Sequence, residues 1–105
     1  MILESQLKTI LLLSSWGTGS TAITGYLDKL GAYSCPPHFH TNDAKTPNSY
    51  EPVELRNLLN EYVNEYDFKL KKDPKNFERA FSNWVKLQSK EASEKGITHL
   101  VLKHP

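Results

Sequence analysis

The feature that most constrains this chain is the succession within residues 9–31. A continuous apolar run, Thr9-Ile10-Leu11-Leu12-Leu13, leads into the small-residue stretch Ser14-Ser15-Trp16-Gly17-Thr18-Gly19-Ser20-Thr21. The apolar positions Ile23, Tyr26, Leu27 and Leu30 then recur at helical spacing, and Gly31 closes the pattern. An uninterrupted apolar run bounded by turn residues predicts a strand buried on both faces. The spacing that follows predicts a helix from about Ser20 to Leu30, with that apolar face turned to the core. The ordinary context of this succession is an α/β architecture with parallel strands.

The remainder of the chain is read in the same way. Residues 32–51 hold Pro36, Pro37 and Pro47 among polar residues and predict a long loop. Leu55, Leu58, Leu59, Tyr62 and Tyr66 share one face of a helix running from Pro52 to about Tyr66. Lys69, Lys71, Lys72 and Lys75 read as a solvated basic connector. Asp73-Pro74 is a helix-start signal, a capping carboxylate followed by the imino acid tolerated in the first turn. That helix carries Phe77, Phe81, Trp84 and Val85 on one side and ends at Gly96, and Ile97 to Leu102 predicts a second strand.

Bulk properties narrow the partners. The 105 residues suffice for one small domain. Apolar residues make up 38%, below the ~45–50% of ordinary domains. A strand-like run reaches the last residues, so the chain reads as the N-terminal portion of something longer. Thirteen basic residues against twelve acidic ones leave a formal charge of +1. That is too little to drive sequence-blind binding of nucleic acid. One cysteine, Cys35, excludes an intrachain disulfide framework. The longest apolar run, Ile10 to Leu13, is too short for a membrane span or a signal peptide. The expectation is a cytoplasmic protein with no membrane partner.

The loop at 14–21 carries the chemistry. Glycines let successive N–H groups point into one cavity, and the helix that follows adds unpaired donors and its positive dipole end. Ser20 and Thr21 supply hydroxyls to the same place. The pattern fits a phosphate or sulfate; a turn that uses Gly17 and Gly19 for geometry alone fits it too. No Lys stands between Lys8 and Lys29, so the loop is not a Walker A sequence. Position 22 is Ala, so it is not the dinucleotide fingerprint either.

Three pieces, together about half the chain and in the right order, resemble the PAPS-dependent sulfotransferase family. Gly19 with Ser20 and Thr21 is similar to that family's donor loop, with Gly17 where the family has a basic residue. Asn48-Ser49-Tyr50-Glu51, followed by Val53, Leu55, Asn57, Leu58 and Leu59, resembles a segment of a bacterial branch. Leu102-Lys103-His104-Pro105 is similar to a strand ending in Lys-Asp-Pro. The resemblance implies a P-loop-type parallel sheet with flanking helices, present in part as one N-terminal portion spanning 1–105. It implies transfer of a sulfuryl group from PAPS to a hydroxyl or amine of a small-molecule, glycan or peptide acceptor. Gly17, Thr18, Gly19, Ser20, Thr21 and Lys103 would bind the donor, and either Lys103 or a basic residue from a segment outside these residues would replace the missing basic residue of the loop. Glu51, or His40 or His38, would deprotonate the acceptor, with no metal required. The later Arg and Ser that hold the donor's 3′-phosphate in the family have no counterpart within these residues.

Other readings remain beside it. Glu51 equally suits the N-terminus of the next helix as a dipole partner. Cys35, His38 and His40 cluster, but a structural zinc site takes four ligands, so solvated or substrate-facing histidines are expected. Trp16 would stack on a ligand or pack behind the loop. A small-molecule kinase and a non-catalytic anion-binding or interaction domain are the rival functional classes.

Overall fold

The computed structural model describes residues 7–13, 19–44 and 47–104. The elements run β1 (Lys8–Leu13), α1 (Ser20–Lys29), β2 (His38–His40), β3 (Asn48–Pro52), α2 (Val53–Tyr62), α3 (Pro74–Glu94) and β4 (His99–His104). The molecule is a small α/β domain. Its principal sheet is the parallel pair β1 and β4, in register from Lys8 opposite His99 to Leu13 opposite His104. Tyr33 adds a parallel bridge on the far side of β4: its N–H donates to the His99 carbonyl at 2.8 Å and its carbonyl accepts from Val101 N–H at 2.8 Å. β4 therefore lies in the middle, and Leu100, Val101, Leu102 and Lys103 are all buried.

Register sorts the strand side chains into two faces, because residues opposite one another in a sheet point the same way. Leu100 and Leu102 face the core with Tyr33, Cys35, Leu55, Trp84 and Ala92, under α2 and α3. Val101 and Lys103 face the other side, where Lys103 meets Thr21 of α1. The α3 helix starts where the sequence indicates: the Asp73 carboxylate accepts from Lys75 N–H at 3.0 Å, with Pro74 in the first turn. Its aromatic residues continue from Tyr62 of α2 as a chain of ring contacts through Phe77 and Phe81 to Trp84, with centroids 5.5, 5.6 and 6.3 Å apart. Trp84 Nε1–H donates to Glu54 at 2.8 Å and ties α3 to the start of α2. The basic connector is exposed as expected, with Lys72 pairing Glu61 at 3.8 Å.

Four expectations are corrected. β1 is not a central strand: β4 is its only sheet partner among the described residues, and Leu11 and Leu13 are 54% and 70% exposed. The apolar run reports the character of a parallel strand, whereas pairing on both sides is decided by distant chain. The apolar stripe of α1 faces outward: Ile23, Tyr26 and Leu30 are exposed, while Thr24 and Gly25 are buried. Gly25 is what lets the helix approach β3 (a Cβ there would lie 3.0 Å from the Tyr50 ring). The stretch 32–51 is not a plain loop, since β2 and β3 pair antiparallel within it. Finally, α2 stops at Tyr62 and Tyr66 is exposed, because Val63 leaves the helix to bridge Leu70. No helix among the described residues is long and apolar enough to cross a membrane.

Candidate functional site

Three segments far apart in sequence meet at the first turn of α1. Gly19 caps the helix with φ +86°, a left-handed geometry suited to glycine, and no side chain caps the turn. Ser20 opens the helix, and its carbonyl accepts from Thr24 Oγ1 at 2.7 Å. Thr21 points toward β3 and β4. Lys103 reaches it from β4, with Nζ 2.8 Å from Thr21 Oγ1, 2.9 Å from the Ser49 carbonyl and 3.4 Å from Glu51 Oε1. The Lys103 side chain is 3% exposed and that of Glu51 14%. A cation so thoroughly removed from water requires partners on each donor, and it has three.

The local geometry of β3 explains how Glu51 arrives. Asn48 Oδ1 accepts from Tyr50 N–H at 2.9 Å, and Ser49 Oγ accepts from Glu51 N–H at 3.1 Å while donating to the Phe39 carbonyl at 2.6 Å. Two successive side-chain-to-backbone turns twist the strand, and Tyr50 takes φ +59°. A tyrosine in that region is costly and persists only where surroundings hold it. Here the twist aims the Ser49 carbonyl and the Glu51 carboxylate together at Lys103. It also lays the Tyr50 ring against Gly25 and within 5.2 Å of the His38 ring.

Chemically, the cluster combines a desolvated ammonium, a carboxylate, a threonine hydroxyl and a helix N-terminus that no side chain caps among the described residues. Thr21 Oγ1 accepts from Lys103, so its own proton is available to another acceptor; its contact with the Ser49 carbonyl is a long 3.5 Å. Such a set can hold an oxyanion while keeping a carboxylate nearby for proton transfer. A cleft of about 500 Å³ opens beside it, lined by Thr21, Ala22, Gly25, Tyr26, Lys29, Pro47, Asn48 and Tyr50. No family model, no curated protein and no solved structure matches the chain. The site is therefore read from its own geometry.

Of the residues singled out in the sequence, Gly19, Ser20, Thr21, Glu51 and Lys103 come together. Gly17 and Thr18 lie outside the described residues, as does Trp16. His40 is exposed on β2 and is not among the partners of Lys103. His38 is committed to structure: Nε2–H donates to the Ser34 carbonyl at 2.9 Å, and Nδ1 accepts from Asn48 Nδ2 at 3.2 Å. The partners settle the tautomer, since a carbonyl only accepts and an amide nitrogen only donates. The Cys35–His40 cluster forms no ligand set: no group of three His, Cys, Asp or Glu fit for a metal occurs among the described residues. Cys35 is buried under Leu55 and Trp84, and burial, with Glu54 and Glu91 adding to it, pushes its thiol up to about 12. Ser49, whose carbonyl holds Lys103, was not foreseen. The Asn48-x-Tyr50 spacing of an Asx turn is the signal that points to it.

Proposed function

We propose that this chain carries the donor-sulfate half of a PAPS-dependent sulfuryl-transfer site on a P-loop-type sheet. One observation carries the reading. Thr21, Glu51 and Lys103 belong to three separate segments that resemble sulfotransferases, and their side chains meet around one buried ammonium, at 2.8 Å and 3.4 Å from Nζ. Nothing in a chance likeness requires segments 30 and 82 positions away from Thr21 to converge on it. The parallel pairing of β1 with β4, with the single bridge at Tyr33 on the other side of β4, is compatible with the same reading. So is Lys103 at the helix terminus, where it supplies the positive charge that Gly17 cannot.

The chemistry follows from the donors. The acceptor oxygen or nitrogen attacks sulfur, and the sulfur–oxygen bond to the donor's 5′-phosphate breaks. The acceptor proton goes to Glu51, and the leaving phosphate departs with the electron pair of the broken bond. Backbone N–H groups at the start of α1, the Thr21 hydroxyl and Lys103 stabilise the charge that accumulates on that phosphate. Lys103 exchanges Glu51 for the incoming oxyanion, since the 3.4 Å contact is the longest of its three. The carboxylate is then left without its cation, beside the acceptor.

Calorimetric titration of the chain with 3′-phosphoadenosine 5′-phosphate tests this. Saturable binding is expected, weakened at least about tenfold by Lys103→Met, as for loss of a charge-assisted hydrogen bond. Thr21→Val should weaken it less. No binding by the folded chain, or equal binding of ATP with Mg²⁺, overturns the reading. Binding without sulfuryl transfer to any hydroxyl or amine acceptor supports the non-catalytic anion-binding domain instead.

A further inference from the structure

The cleft between α1 and β3 is built differently from the oxyanion cluster it adjoins. Its walls are flat. Tyr50 is held rigidly by its left-handed turn and by the ring of His38. Gly25 contributes bare backbone beside that ring, and Pro47 adds a second flat surface. On the α1 side Tyr26 stands 65% exposed. A large aromatic left in water on the wall of a cleft is a ready contact surface for a planar ligand. Among the described residues Lys29 is the only charged one lining the cleft, and no carboxylate lines it. Asp28, the neighbouring acid, instead accepts from Ser34 at 2.6 Å. The inner end is Thr21, whose oxygen is bonded to Lys103.

These features set the ligand's shape and charge. Thr21 and Lys29 are eight positions apart, about 12 Å along a helix axis. Helical side chains lean toward the N-terminus, so the Lys29 ammonium comes closer to Thr21 than its Cα does. A ligand spanning them is one ring long, with a polar group at one end and an anion at the other.

We infer that this cleft binds an elongated planar carboxylate, its ring between Tyr26 and Tyr50, its carboxylate at Lys29 and a hydroxyl directed at Thr21. The inference supplies an acceptor for the transfer proposed above and in that respect rests on it. Binding itself needs no donor.

The test uses the whole chain, free of nucleotide, in low salt, with 4-hydroxyphenylacetate followed by amide chemical shifts. Saturable shifts confined to the cleft residues are expected. Lys29→Gln should weaken binding about threefold, the effect of one exposed ion pair, and 0.5 M salt should weaken it similarly. Tyr26→Ala should weaken it about fivefold through the lost ring contact. Uncharged 4-hydroxyphenylethanol should bind more weakly and be indifferent to Lys29→Gln. The inference fails if no saturable shift occurs in the cleft, or if the uncharged compound binds as tightly as the acid. Because no donor is present, its failure is separate from that of the nucleotide titration: either can succeed without the other.

Discussion

Two residues show how burial decides chemistry. Lys103 and Cys35 both sit beneath the surface, one with three polar partners and the other with apolar neighbours. Lys103 is surrounded by acceptors, whereas burial keeps Cys35 neutral, its thiol displaced from an ordinary 9.0 to about 12. The linkage has a definite sign. Between those values the unfolded chain has lost the thiol proton and the folded chain retains it, so stability falls as pH rises. The expected slope is about 1.4 kcal/mol per pH unit from this group. Tyr33 adds to it at higher pH. Burial and its hydrogen bond to Glu91 raise the phenol above its usual range. Denaturant unfolding between pH 8 and 11 should show the decline, and Cys35→Ala should make it shallower. Equal slopes in the two proteins would mean that the thiol is not buried as described.

At the scale of elements, α1 is the informative case. A hydrophobic stripe ordinarily turns inward, yet this helix buries Thr24 and Gly25 and leaves Ile23, Tyr26 and Leu30 in water. The reason lies in β3. Tyr50 occupies the space above Gly25, so the helix seats its smallest residue there and the rest of the wheel follows. Gly25→Ala places a Cβ 3.0 Å from Tyr50 Cε2 and 3.3 Å from Cζ. Although alanine is the better helix former, the ring backed by His38 has little room to yield. A net loss of about 1–2 kcal/mol in urea unfolding is expected from such overpacking. A stabilised variant would show that Tyr50 moves freely and is not the rigid wall described above. The same comparison explains what α3 revealed in advance. Its cap and its aromatic spacing are local, so Asp73, Pro74, Phe77, Phe81 and Trp84 could be placed from sequence. The orientation of α1 depended on a contact 25 positions away.

For the molecule as a whole, the unequal burial of the two strands matters most. β4 is paired on both sides and buried from Leu100 to Lys103, while β1 presents an unpaired edge among the described residues, with Leu11 and Leu13 exposed. An edge that is apolar beyond Lys8 and holds no proline invites association. Leu13→Lys removes apolar surface at a position that contributes little packing, so unfolding free energy should change by no more than about 0.5 kcal/mol. Sedimentation at high concentration should show less self-association than the parent chain. A large destabilisation would mean that Leu13 is covered.

The sequence by itself determined β1, α1, α3 and β4 and the chemical inventory, whereas β2 and β3 read as loop and α2 as longer than it is. The strand followed by a helix, the Asp73-Pro74 start and the parallel pairing rest on local pattern, and Thr21, Glu51 and Lys103 each stand in a motif contiguous in the chain. Tertiary structure alone decided three things. It made β4 rather than β1 the central strand, because pairing partners come from distant segments. It turned the apolar face of α1 outward, because a tyrosine in a left-handed turn claimed the space over Gly25. And it united Thr21, Ser49, Glu51 and Lys103, because a buried ammonium must find its acceptors wherever the fold brings them.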